Sequence, residues 1–333
     1  MQNIKCCFRP NLRLCIKLLF ILIFFVLSIN NAQAQVFRYA VIPENPRQGD
    51  PVTVSIEGSL DVKSAKLISS GKVLNKAVFF PVPGIHRRSL NTAILAVPST
   101  TAAGRASIII ECASEITVVL DLEIKERKFI SEAIELNTAL TNIRTAPDYV
   151  KTEEAHYLSS ILSTTGNEVH SFDRFIPPVN SNRRTSFFGD RRVYKYSNGA
   201  SDFSIHAGID YGVPSGTPVL ACAAGKVVLA RSRIVTGNSV VIEHLPGIYS
   251  LYYHLEKINV TEGLTVSAGT LLGLSGATGL ATGPHLHWEI RVFGEMCDPD
   301  AFIDHPVLDK QSIISHINNK RYIWTQFIPA KRR

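Results

Sequence analysis

Residues 283–290 read Gly-Pro-His-Leu-His-Trp-Glu-Ile, and their alternation decides how the C-terminal half is built. In an extended strand, successive side chains point to opposite faces. His285, His287, Glu289 and, one step further, Arg291 then share one face. Leu286, Trp288, Ile290 and Val292 share the other. The apolar set predicts a core face. The polar set predicts the wall of a groove or a solvent-facing side, with two imidazoles as close as one strand face allows.

Outward from this strand, the sequence reads as compact all-β structure. Of 21 glycines, 15 fall between Gly189 and Gly294. They punctuate short Val/Leu/Ile runs at 217–221, 225–230, 239–243, 249–255 and 270–274, a pattern of short strands and tight turns. His206-Ala207-Gly208-Ile209-Asp210 spaces a His and an Asp by four, which puts both on one face of a strand or of a helix. The Gly-rich context favours a strand end. Imidazole nitrogen and carboxylate oxygen suit zinc, but this spacing alone is common and selects no metal. In Tyr252-Tyr253-His254-Leu255, alternation places His254 with Tyr252, and Tyr253 with Leu255. A lone His beside aromatics is usually a hydrogen-bonded core residue.

Taken together, these pieces favour a catalytic metal. A catalytic zinc keeps three protein ligands and one open position, whereas a structural zinc takes a fourth ligand, typically Cys. The sequence has no clustered Cys at zinc spacing. Zinc acidifies its water and polarises a carbonyl. One neutral His can take the water proton, and another can bond the oxyanion or assist the leaving amine.

At these residues the chain resembles the lysostaphin and LytM-type zinc metallopeptidases, over about residues 183–303. The resemblance is carried by SFFGDRR (186–192), HAGIDYG (206–212), GTPVLACAAGKV (216–227), GNSVVIEH (237–244), YSLYYHL (249–255), VSAGTLLGLSGATG (266–279), TGPHLHWEI (282–290) and DPDAFI (298–303). It implies zinc ligation by His206, Asp210 and His287, and catalytic roles for His254 and His285, either of which can be the base. It implies an all-β catalytic fold with a long groove, and as substrate the peptide part of peptidoglycan, cut as an endopeptidase. His244 matches a frequent non-ligand position and reads as structural or supporting. Glu289 reads equally as a group orienting a ligand and as a solvent-facing carboxylate. Tyr194, Tyr196 and Tyr252 are all candidates for a cleft tyrosine. Some relatives have lost ligands and act as modules that activate separate wall amidases. The full set of five residues here favours an enzyme over that alternative and over a structural metal domain.

The chain is 333 residues long, enough for two modest cores, and 45% hydrophobic against 19% charged residues is a globular composition. Residues 1–34 read as a secretory signal: Lys5, Arg9, Arg13 and Lys17, then the apolar run Leu18–Ser28, then Ala32-Gln33-Ala34 as cleavage site, making Gln35 the first mature residue. That run is short for a bilayer span, which takes about 20 residues, and no Cys follows it to accept a lipid. Export to the periplasm or beyond the cell is the expectation, without a stable membrane anchor. Removing four basic residues from a formal +7 leaves +3. With no Lys/Arg stripe carrying interleaved aromatics, nucleic-acid binding is not indicated. Cys6, Cys7 and Cys15 leave with the signal; Cys112, Cys222 and Cys297 remain, an odd set read as buried thiols with room for one bridge.

Residues 35–126 read as an immunoglobulin-like β-sandwich, with strands expected at 51–56, 64–69, 92–97, 106–111 and 116–124. His86, Arg87 and Arg88 there read as a solvated loop. Residues 127–180 read as a helical connector, with Pro147 in a first turn and Val150, Tyr157, Leu158, Ile161 and Leu162 as its apolar stripe. His156 reads as surface. Asn167 and His170 are the connector residues conceivable as a cover over the metal. Residues 181–305 form the peptidase domain, and 306–333 a tail with His316 at the surface and Lys331–Arg333 as a solvated end.

Overall fold

A computed structural model describes residues 37–82, 90–114 and 116–319. The expected signal segment, the loop at His86–Arg88 and the basic end at Lys331–Arg333 lie outside the described residues. No helix among the described residues is long and apolar enough to cross a membrane.

Strands β1 (Phe37–Ile42), β2 (Pro51–Gly58), β3 (Val62–Ser69), β4 (Lys72–Val78), β5 (Phe80–Pro81), β6 (Leu90–Ala96), β7 (Gly104–Cys112) and β8 (Thr117–Ile124) open the chain. They pair as two four-stranded sheets, β1-β2-β6-β5 and β4-β3-β7-β8, which is the strand order of an immunoglobulin sandwich. Period-two burial explains the pairing of the sheets. Val52, Val54 and Ile56 of β2 enter one core with Ile108 and Ile110 of β7 and Val118 and Leu120 of β8, each fully buried side chain contributing about 1.5–3 kcal/mol. The five expected runs overlap β2, β3, β6, β7 and β8.

The connector contains a strand, β9 (Ser131–Glu135), ahead of two helices, α1 (Thr138–Thr145) and α2 (Tyr149–Ser163). Asp148, not Pro147, caps α2: its carboxylate accepts the Val150 and Lys151 N–H groups, so Pro147 stands just before the cap. Leu158, Ile161 and Leu162 do face the core, whereas Tyr157 and Val150 remain exposed.

The remaining strands are β10 (Arg184–Ser186), β11 (Arg191–Lys195), β12 (Ser201–Ile205), β13 (Gly208–Tyr211), β14 (Pro218–Leu220), β15 (Gly225–Arg233), β16 (Gly237–Leu245), β17 (Ile248–Ile258), β18 (Thr265–Val266), β19 (Leu271–Ser275), β20 (Leu286–Val292) and β21 (Glu295–Cys297). Their main sheet runs β10-β13-β20-β17-β16-β15-β18, and a small sheet runs β12-β11-β9. One face of the main sheet packs Trp288, Ile290, Tyr252, Leu255, Val240 and Ile242 into the largest core. The other face packs Leu229, Val241, Tyr249, Leu251 and Tyr253 beneath α2.

The sandwich and this sheet share packing. Phe80, Ile94 and Ala96 of the sandwich belong to this largest core cluster. Asn75 Nδ2 donates to Val292 O at 3.2 Å while Ala96 N–H donates to Asn75 Oδ1 at 3.0 Å, all buried. A short helix, α3 (Asp300–Asp304), and then α4 (Lys310–Asn319) follow. Ile313 and Ile317 of α4 pack on Ala40, Val82 and Leu90 of the sandwich. The segment expected as a tail therefore begins as a docked amphipathic helix, because its Ile-x-x-x-Ile spacing offers one apolar face. His316 on it is half-buried. Cys112, Cys222 and Cys297 are all free and buried.

Candidate metal centre and cleft

His287 lies near the start of β20, between β13 and β17. The antiparallel registers set Asp210 opposite it on one side and Tyr253 on the other. His206 comes from the two-residue link between β12 and β13. Its N–H donates to Asp190 O at 2.9 Å, and its carbonyl accepts Gly189 N–H at 2.8 Å. Gly208 permits the link: a Cβ there would collide with the Trp288 carbonyl.

His206 Nε2, Asp210 Oδ1 and His287 Nδ1 converge within 4.8 Å of one another, all from buried residues. The separations are 3.1 Å from His206 Nε2 to Asp210 Oδ1, 2.7 Å from His287 Nδ1 to Asp210 Oδ1, and 3.0 Å between the two imidazole nitrogens. Each residue's other polar atom is committed elsewhere. His206 Nδ1 donates to Phe187 O (2.8 Å), His287 Nε2 donates to Glu289 Oε1 (2.9 Å), and Asp210 Oδ2 accepts from Arg192 Nη2 (2.7 Å). Three donors aimed at one point, each oriented from behind, fit a zinc-type cation with an open position.

Two more imidazoles face this cluster. His254 Nδ1 donates to Thr278 O at 2.7 Å and His285 Nδ1 donates to Gly283 O at 2.8 Å, so both present Nε2 to the cleft. Their rings are 4.7 Å apart, and His285 Nε2 is 3.9 Å from Asp210 Oδ1. Strand alternation misplaced His254. Asn238 pairs with Leu255 and Val240 with Tyr252, so Tyr253 and His254 both stand opposite Ser239. This bulge, with His254 at φ 62, turns His254 toward the cleft. Tyr252 and Leu255 go to the core instead. Tyr252 accepts Cys222 N–H through its hydroxyl, so it is not a cleft tyrosine. Tyr194 and Tyr253 line the cleft, which measures about 630 Å³, room for a peptide segment. Tyr196 is not among the lining residues; its hydroxyl accepts from Arg144 Nε.

The family model for peptidase family M23 matches residues 204–299. That span contains all five of the residues just described. The C-terminal domain belongs to peptidase family M23. Over 125 residues the chain is 42% identical to the peptidoglycan DD-endopeptidase ShyA of Vibrio cholerae, covering 37% of this chain and 28% of that protein. Over 124 residues it is 39% identical to the DD-carboxypeptidase/endopeptidase Mpg of Neisseria meningitidis, with the same shares. The matches thus span under a third of those relatives' own length. A Pseudomonas aeruginosa crystal structure assigned to M23 superposes with a TM-score of 0.55 at 24% identity, covering 78% of this chain and 94% of that one. That likeness shows a shared fold over about three quarters of this chain.

Within the M23 domain, burial sets the protonation states. Burial lowers His254, and neighbouring His285 and His287 lower it further, to about 3. Burial also lowers His285, against the pull of Asp210. Both imidazoles are therefore neutral at neutral pH. Burial would raise Asp210, but hydrogen bonds from His206 and His287 outweigh it and hold the carboxyl well below its usual range. Burial would likewise raise Glu289, yet Arg291 and His287 bring it down to about 2. Glu289 is 4% exposed, and its second oxygen accepts from Arg291. It orients His287 and does not face solvent. His244 is buried away from the cluster, bonded to Ala224 O and Ser250 Oγ. Asn167 and His170 are absent from the cleft lining, which instead takes Glu132, Ile134, Leu136 and Arg144 from the connector. Sequence reading passed over Arg192 and Glu132. The signal available was the alternation Arg192–Tyr194 in a strand, since a buried Arg requires an acidic partner.

Proposed function

We propose that the protein is an exported zinc-dependent endopeptidase that hydrolyses the peptide cross-links of peptidoglycan. The observation that carries this reading is the convergence of His206 Nε2, Asp210 Oδ1 and His287 Nδ1 beside two neutral imidazoles with free Nε2 atoms. The identity to named peptidoglycan endopeptidases supports the substrate class. When bound, zinc supplies a Lewis acid for the scissile carbonyl and an acidified water. His206, Asp210 and His287 would hold it. His254 and His285 act from the cleft side: either can accept the water proton at Nε2 and, protonated by that transfer, donate to the developing oxyanion or the leaving amine. Tyr253, stacked on His287 at 5.5 Å between ring centroids, shields the ligand from that side. The intact set of five favours catalysis over a role as a wall-binding activator module.

The test is release of soluble fragments from purified peptidoglycan. Release that stops with chelator and returns with zinc supports the reading. Zinc-loaded protein that binds the wall and releases nothing would replace it with the activator module.

A further inference from the structure

The metal ligand Asp210 is held by a chain of ionic contacts that leaves the M23 domain. Arg192 Nη2 donates to Asp210 Oδ2 at 2.7 Å, the oxygen turned away from His206 and His287. Arg192 Nε donates to Glu132 Oε1 at 2.6 Å, and Ser186 Oγ donates to the same oxygen at 3.1 Å. Glu132 belongs to β9 of the connector, and the parallel β9–β11 register sets it directly beside Arg192. The side chains of Arg192 and Asp210 are 11% and 10% exposed, so the contact between them is shielded from water, while Glu132 behind it is 27% exposed.

We infer that Glu132 is a positioning residue of the metal centre, acting through Arg192 on Asp210. The inference rests on the reading of His206, Asp210 and His287 as ligands. Two effects point the same way. A carboxylate that ligates through one oxygen must not swing about its Cβ–Cγ bond, and Arg192 fixes Oδ2. A long guanidinium fixes it only if its own far side is held, which is what Glu132 does. The charge effect adds to this. Glu132 neutralises Arg192, so the Asp210 charge remains available to a dication. Without Glu132, a shielded cation would stand next to the metal and compete with it for the same carboxylate. The family match begins at residue 204, so the site is completed by a strand, Ser131–Glu135, that lies upstream of the matched span. The connector is thereby part of the catalytic unit as well as a link to the sandwich.

The test is a zinc titration of the purified protein against a chromophoric chelator, run on the parent, Glu132→Ala, Glu132→Gln and Glu132→Ala in an Arg192→Ala background. Groups behind metal ligands typically set affinity by roughly 10- to 100-fold. Glu132→Ala is expected to weaken zinc binding within that range. Glu132→Gln keeps an acceptor for Arg192 and Ser186 without the charge, and should fall between Glu132→Ala and the parent. On a cross-linked peptide, zinc-saturated Glu132→Ala should lower kcat with little change in KM. In the Arg192→Ala background, removing Glu132 should add nothing. Zinc affinity within twofold of the parent for Glu132→Ala overturns the inference, and so does full additivity with Arg192→Ala. Absence of zinc binding by the parent itself overturns the ligand reading, and is seen before any variant is compared.

Discussion

The His254 imidazole donates from Nδ1 to the carbonyl oxygen of Thr278, 2.7 Å away, and this one bond fixes which nitrogen faces the cleft. The bond is reachable because His254 sits at φ 62 in the β17 bulge, where its own N–H donates to Thr236 O at 2.9 Å. Thr236 is held in turn by Arg233, which donates to the Glu154 carbonyl of α2. A left-handed backbone at a non-glycine residue is uncommon and often marks a functional position. Here it rotates an imidazole out of the core and onto the cleft wall.

His254 is therefore separable from the metal. His254→Ala should retain stoichiometric zinc and lose turnover by roughly 10²- to 10⁴-fold, the range for a positioned acid–base group. His206→Ala and Asp210→Ala should lose both zinc and turnover. Metal analysis alongside a peptide-cleavage assay checks all three. Full turnover by His254→Ala would remove it from the mechanism.

Gly208 tests the backbone that spaces His206 from Asp210. A Cβ there meets the Trp288 carbonyl, and neither partner is a flexible side-chain end. Gly208→Ala should cost about 1–3 kcal/mol, as overpacking does, and should weaken zinc binding, since β13 must shift from β20. Denaturant midpoints and zinc titration read the two effects. An unchanged midpoint would mean that the strands are not held at this spacing.

His244 gives a pH signature of stability. Burial lowers its pKa from 6.5 to about 4. Between those values the unfolded chain binds a proton that the folded chain does not, so stability rises with pH across that window. The contribution is fully present above pH 6.5 and is lost as pH falls toward 4, about 3 kcal/mol in all at 1.36 kcal/mol per unit. Urea midpoints for the parent and His244→Gln, measured from pH 7.5 to 4.5, should show a flatter profile for the variant. Parallel profiles would show that His244 does not titrate between the two states.

Helix α2 is the outer support of Tyr253. Leu162 is 5% exposed and packs in the cluster that contains Tyr253. Leu162→Ala should cost about 2–5 kcal/mol. Asp148→Ala, which removes the cap, should cost about 1 kcal/mol. Chemical unfolding checks both. A cost near zero for Leu162→Ala would mean that α2 is not docked on the sheet.

Much of this architecture was legible because it follows alternation. Leu286, Trp288, Ile290 and Val292 are each 0% exposed, as a period-two strand requires, and His285 and His287 accordingly face the cleft. Alternation failed at His254, since a bulge inserts one residue and breaks the period without a mark in the residue types. The strand β9 was missed because Ser131–Glu135 is short, polar and rests on a small sheet whose partners lie about 60 residues away. The Glu132–Arg192–Asp210 chain was illegible for the same reason. Its three charges come together only when a parallel register, which no local pattern specifies, is formed. Helix α4 hid in an apparent tail because two isoleucines are a weak stripe until the sandwich supplies the surface they cover.

The proposed activity is cleavage of peptide cross-links in this cleft with a metal held by His206, Asp210 and His287. Its most direct test is mass spectrometry of defined cross-linked wall peptides incubated with the purified protein, with and without chelator. Cleavage at one peptide bond is expected, with the two fragments together heavier than the substrate by one water, abolished by chelator and restored by zinc. Stoichiometric zinc with every cross-linked peptide intact would contradict it.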